Sequence, residues 1–219
     1  MNKQVNFSKL LKNKETFLLS TYSLLVIELV ISMAIVYAMR DSPMFNKITR
    51  QSILIYFALT FGLILILSFV PMPSWLKICV FTIFAVVMGG FLHSTSILIP
   101  REVIDNALFG TISVFVIMTC FAFILAALGV DLSFMMIIML AAIIGLLIAS
   151  IIVYFFAKKS NKVHKIMLIV GLIIFSIYVI VYTNVILQPK YNFNYVDAAI
   201  DLYVSFISIF TRILALESE

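Results

Sequence analysis

Six stretches of this chain are each apolar for about the length one helical crossing of a bilayer requires, roughly 20 residues. Little polar sequence separates them. They run approximately over residues 17–39, 52–70, 75–92, 103–128, 132–157 and 163–187, and a seventh, more polar stretch covers about 196–216. In a chain of 219 residues, 64% are hydrophobic and 11% charged, with a mean hydropathy of +1.20. A soluble domain averages about 45–50% apolar and about 25% charged. This much apolar surface cannot be hidden inside the chain itself, so its surroundings must be lipid. In lipid every backbone polar group has to be paired within its own segment or around a closed barrel. The period-two alternation of a barrel is absent. The expected fold is therefore an all-α polytopic membrane protein, a bundle of seven transmembrane helices. Residues 1–16 read as a polar N-terminal tail and 17–216 as a single transmembrane domain.

Punctuation agrees with these bounds. Pro71 and Pro73 close the second stretch and Pro189 the sixth, because proline lacks the amide donor and restricts the residue before it. Trp75 opens the third and is of an interfacial type. The first stretch is too long for a signal-peptide core and has no Ala-x-Ala site, so it reads as a retained span.

The net charge is +5, with basic residues gathered in loops beside the spans. Such clusters set topology or meet anionic headgroups rather than nucleic acid. If all seven segments cross, one side collects Lys3, Lys9, Lys12, Lys14, Lys77 and Lys190. The other collects Arg40, Lys47, Arg50, Arg101, Lys158, Lys159, Lys162, Lys165 and Arg212, and the positive-inside rule makes that side cytoplasmic. Cys79 and Cys120 stand alone in apolar runs and read as small hydrophobes. Two distant histidines and the lack of a protease-type motif argue against an enzyme.

The seventh stretch carries Asp197, Asp201, Ser205, Ser208 and Arg212. At about 100° per residue these five fall within an arc of roughly 80°. A charge facing lipid is costly, so the arc should face protein or water. For Asp197 a helix N-terminus is an alternative explanation, and for Arg212 snorkelling to the interface is another. Asp201 and Ser205 sit deeper and are candidates to line an ion pathway. Glu28, midway along the first span with Ser32 one turn on, is a further ionisable candidate. His93 and Ser94 close the third span, where a histidine is expected at the interface. Asp105, Asn106 and Asp131 read as helix caps. Gly89, Gly90, Gly110 and Gly145 are expected to permit close helix approach.

The last two segments, IYVIVYTNVILQPKYNFNYVDAAIDLYVSFISIFTRIL, resemble the closing part of the Bax inhibitor-1 family. There a sixth span ends near Tyr-Asp-Thr and is followed by Tyr-x-x-Ala-Ala-x-x-Leu-Tyr-Leu-Asp-x-x-Asn-x-Phe. Tyr195, Ala198, Ala199, Leu202, Tyr203 and Phe210 fall in place. TFLLSTYSLLVIELVISMAI resembles the family's first span, and FTIFAVVMGGFLHSTSI with IDNALFGTISVFVIM its third and fourth. The resemblance implies seven helices with a central one enclosed, calcium leak across an internal membrane and, in eukaryotes, restraint of cell death. It attributes the leak to two aspartates that share protons. Here Tyr182 and Ser205 stand at those positions, and Asp201 lies one turn before Ser205.

The expected function is accordingly a Bax-inhibitor-like membrane protein that modulates intracellular calcium and inhibits cell death. The alternative is a non-conducting protein that acts by binding membrane partners. No cofactor is expected beyond calcium as a permeant ion, and no metal site is assigned. The expected partners are the bilayer and membrane proteins of the cell-death machinery, with no nucleic acid. The expected location is an endomembrane in a eukaryotic or viral setting and the plasma membrane in a bacterial one.

Overall fold

The computed structural model describes residues 3–42, 50–156, 161–192 and 194–218; Lys47, Lys158 and Lys159 of the basic loops lie outside them. Seven α-helices and no strand occur among the described residues. They are α1 (Lys3–Asp41), α2 (Arg50–Phe69), α3 (Ser74–Ser96), α4 (Arg101–Ala127), α5 (Met135–Phe156), α6 (Asn161–Leu187) and α7 (Tyr195–Glu217). Leu11–Asp41, Ser74–Ser96, Arg101–Ala127, Lys162–Leu187 and Tyr195–Glu217 are long and apolar enough to cross a bilayer, and the apolar parts of α2 and α5, Ile53–Phe69 and Met135–Ser150, are shorter.

Two boundaries differ from the sequence expectation in ways that matter. α1 starts at Lys3, so the polar residues before Thr16 continue the first helix. α3 runs on to Ser96 and carries His93 and Ser94 inside it, where they are 1% and 3% exposed. Asp105 and Asn106 lie a full turn inside α4, which begins at Arg101, and both are exposed, so they are not its cap. Many large apolar side chains point outward, among them Leu54, Phe57, Ile117, Phe121, Ile137 and Leu147. In water such a surface would be an aggregation hazard, and in a bilayer it is the solvated face.

The chain divides into two compact units. One holds residues 17–100 and 193–203, that is α1 from Phe17 onward, α2, α3 and the start of α7. Here α2 packs on α3. A Cβ at Gly90 would come within 2.6 Å of the Tyr56 ring, and one at Gly89 within 2.6 Å of the Ser32 carbonyl. Both glycines therefore mark close helix approach, as expected. Gly110 makes only ordinary contact and Gly145 has nothing within 4 Å, so that expectation fails at Gly145, which is simply open. At the mouth of this unit, Asn194 precedes α7 and donates to Ser74 Oγ at 2.6 Å, while Lys77 pairs with Asp197.

The other unit holds residues 1–16, 101–192 and 204–219. α4 and α5 both pack on α6. α4 ends in a Schellman turn: Gly129 (φ 78°) donates to the Ala126 carbonyl at 2.9 Å and Val130 to that of Leu125 at 3.0 Å. The left-handed conformation favours glycine there. The turn into α5 is held by Asn184 of α6. Its Oδ1 accepts from the Leu132 amide at 3.0 Å and its Nδ2 donates to the Val130 carbonyl at 3.0 Å. Lys14 donates to the carbonyls of Ile186 (2.6 Å) and Gln188 at the end of α6, groups that a helix cannot satisfy internally.

Asp131 forms a local turn four residues ahead of α5, rather than capping it. Its Oδ1 accepts from the Ser133 amide at 2.9 Å and from the Ser133 hydroxyl at 2.5 Å. The Ser133 hydroxyl, then the Ser133 amide, hold the Asp131 carboxyl below the usual carboxylate range. A carboxyl lowered in the folded state stabilises above its unfolded value, and the gain disappears as pH falls through the folded one. Asp131→Asn is expected to remove that small acid sensitivity while keeping the turn, read as thermal unfolding across the acid range. The group is largely exposed, so the shift is expected to be slight.

Candidate functional site

The deepest polar cluster forms where α1, α3 and the first turns of α7 meet. Glu28 is 1% exposed, midway along α1. One of its oxygens, Oε1, accepts from Thr82 Oγ1 at 2.7 Å. The other, Oε2, is buried and has no hydrogen-bond partner among the described residues. One turn on, Ser32 Oγ lies 2.9 Å from the Glu28 carbonyl, 2.9 Å from the Ala85 carbonyl and 2.6 Å from Tyr203 Oη. Ser32 has a single hydroxyl proton, and two carbonyls compete for it. The third contact must then be filled from the other side, so Tyr203 donates to Ser32. The Tyr203 ring meets Phe81 and Phe84 edge-on, at 5.3 and 5.7 Å between centroids.

The local sequence explains how this cluster survives in an apolar setting. Glu28 and Ser32 are four residues apart and share one face of α1. Ser32 and Thr82 also bond back to the helical carbonyls four residues earlier, Glu28 and Ile78, which lowers the burden of burying a hydroxyl. Gly89 leaves room for the Ser32 carbonyl to approach α3. The arrangement presents a carboxyl with a hydroxyl on one oxygen and no hydrogen-bond partner on the other among the described residues. It suits the reversible holding of a proton or a hard cation.

The other predicted residues are divided between the two units. Asp197 is tied to Lys77 near the start of α7 and is 34% exposed at its side chain. Asp201 is half-buried in the same unit as Glu28. Ser205 is 1% exposed and belongs to the unit containing α4–α6. Tyr182 is also in that unit, 4% exposed, stacked on Tyr178 and 3.2 Å from the Tyr191 hydroxyl. Arg212 does not snorkel outward. It turns back along α7 and donates to the Ser208 carbonyl at 2.8 Å.

The charged arc of α7 is also not its buried side. Leu202, Tyr203, Phe206, Ile209 and Phe210 are buried, and of the five arc residues only Ser205 is. Aromatic and aliphatic packing took the inward face, while Asp197, Asp201, Ser208 and Arg212 remain half-open. Even so, α7 is the most buried of the long apolar helices, with 56% of its apolar window buried against 17–39% in the others.

Thr82 and Tyr203 were not singled out as site residues from the sequence. Thr82 is one hydroxyl in an apolar run, and Tyr203 drew notice only as part of a family pattern. A mid-span Glu followed by Ser at i+4 was the available signal that a polar partner must exist.

Seven helices with lipid-suited outer faces and a buried polar knot define an integral, multi-pass α-helical membrane protein. The family model described as inhibitor of apoptosis-promoting Bax1 matches residues 14–217, and the chain belongs to that family. No curated protein matches it.

Proposed function

We propose that this protein modulates intracellular calcium by permitting a slow leak, and thereby inhibits cell death, with Glu28 as the ionisable element. Family membership supports the general reading. The observation that carries the assignment to Glu28 is its buried, unpartnered Oε2 among Thr82, Ser32 and Tyr203. An ionisable group at such depth is seldom retained without a role in ion or proton movement. Asp201, half-buried on α7, is the second carboxylate of the proposal, and Asp197 has a structural partner in Lys77. An endomembrane is the location that fits this role in a eukaryotic or viral setting, and the plasma membrane in a bacterial one.

The test is calcium release from loaded proteoliposomes. Glu28→Gln is expected to slow release roughly tenfold, the effect of about 1.4 kcal/mol on a barrier, and Asp201→Asn to slow it less. Release unchanged in both variants would remove the two carboxyls from the proposal.

One observation favours a second reading. At the first family aspartate position, Tyr182 presents a phenol already engaged with Tyr191 and Tyr178, not a free carboxylate. A non-conducting protein that binds membrane proteins of the cell-death machinery would tolerate that exchange. No release from wild-type proteoliposomes, with protection from cell death retained in cells, decides for it.

A further inference from the structure

Arg212 stands five residues before the end of α7, yet its guanidinium lies deep. Its Cζ is 4.6 Å from the centroid of Phe175. Phe175 is 14 residues after the start of α6 at Asn161 and 12 before its end at Leu187, which is the middle of that helix. Nη1 donates to the Ser208 carbonyl, a turn further from the end of α7 than Arg212 itself. The inward course is possible because residue 171 is glycine: a Cβ there would land on Arg212 Nε.

This placement leaves a unit charge without an opposite one. Among the described residues no carboxylate pairs with Arg212. A guanidinium carries five N–H donors, and here one is used, by Ser208. An aromatic face offsets part of the charge and accepts no ordinary hydrogen bond. Arg212 is half-buried rather than sealed off. The desolvation cost of an ion rises steeply with its charge, which favours a monovalent one.

We propose that the Arg212 guanidinium, pinned between Gly171 and the Phe175 ring midway along α6, binds a small monovalent anion admitted from water. This goes beyond the calcium reading and does not depend on it.

Thermal unfolding of the full chain tests the site, in maltoside micelles without added phospholipid, as chloride replaces gluconate at constant ionic strength. Wild type is expected to rise by about 3 °C, the scale of a ligand well above its dissociation constant in a chain of this size. Arg212→Gln is expected to show no rise. Gly171→Ala, which displaces the guanidinium without removing it, is expected to lose most of the rise and carries the test if Arg212→Gln does not fold. Lys162→Gln, at the exposed start of α6, is expected to respond as wild type. A full chloride response in both Arg212→Gln and Gly171→Ala would overturn the proposal. So would a wild-type response that appears only after phosphatidylglycerol is added, which would assign the charge to a lipid headgroup.

Discussion

Gly89→Ala is expected to leave little stably folded protein. The added Cβ would stand 2.6 Å from the Ser32 carbonyl and 2.8 Å from Ile35 Cβ, both on α1. Neither is the tip of a flexible side chain, so α1 itself would have to withdraw from α3. It cannot do so cheaply. Ser32 Oγ is tied to the Ala85 carbonyl and to Tyr203, and Glu28 to Thr82, so a shift of α1 breaks the buried cluster at several points. Overpacking by one methyl costs about 1–3 kcal/mol in a packed interior, and the broken polar contacts place this case at or above the upper end. That is a large part of a total stability of about 5–15 kcal/mol. Gly62→Ala is the matched control, because a Cβ there meets nothing within 4 Å. Thermal unfolding in detergent should separate the two variants by many degrees. Equal stability would mean that α1 and α3 do not approach so closely.

Asn184→Ala is expected to cost about 3 kcal/mol. The carboxamide is fully buried and bonds both an amide and a carbonyl of the α4–α5 turn, and it also accepts from Gln188 Nε2 at 3.1 Å. Each lost bond is worth about 1 kcal/mol, and backbone groups left without a partner add to that. Without Asn184 the turn is held by its own local hydrogen bonds alone, so residues 128–134 should become the first site of proteolytic nicking. The checks are the unfolding temperature and the rate of cleavage in that loop. Unchanged cleavage would show that the Schellman turn alone secures the segment. Asn184→Asp retains the acceptor but loses the donor and buries a charge, so it is expected to be no better than alanine.

Both effects arise at residues whose importance the sequence shows only faintly. Asn184 lies two residues after Tyr182 in the closing stretch, and its reach to Val130 and Leu132 across more than 50 positions could not be read from spacing. Gly89 was legible as a small residue that allows close approach, but so was Gly145, and only the first meets a neighbour. Glu28 was recognisable as an ionisable group at depth, and Ser32 as its helical neighbour, whereas Thr82 and Tyr203 became partners only through the meeting of three helices. The inward arc of α7 was a fair deduction from charge alone. The side chains buried most fully on that helix are nonetheless Tyr203, Phe206 and Phe210, with the carboxylates half-buried beside them.

The amino-acid sequence by itself determined that this chain is a set of helices in a membrane. In lipid the backbone must pair within each segment, and apolar runs of sufficient length leave no other outcome. Which side of each helix faces its neighbours was decided only by the tertiary structure. Lipid is as apolar as a protein interior, so hydrophobicity does not distinguish the inner from the outer face of such a helix. That choice fell to shape and to hydrogen bonds: a glycine that admits a carbonyl, a serine shared by two helices and a tyrosine, and an arginine turned inward over a phenylalanine ring.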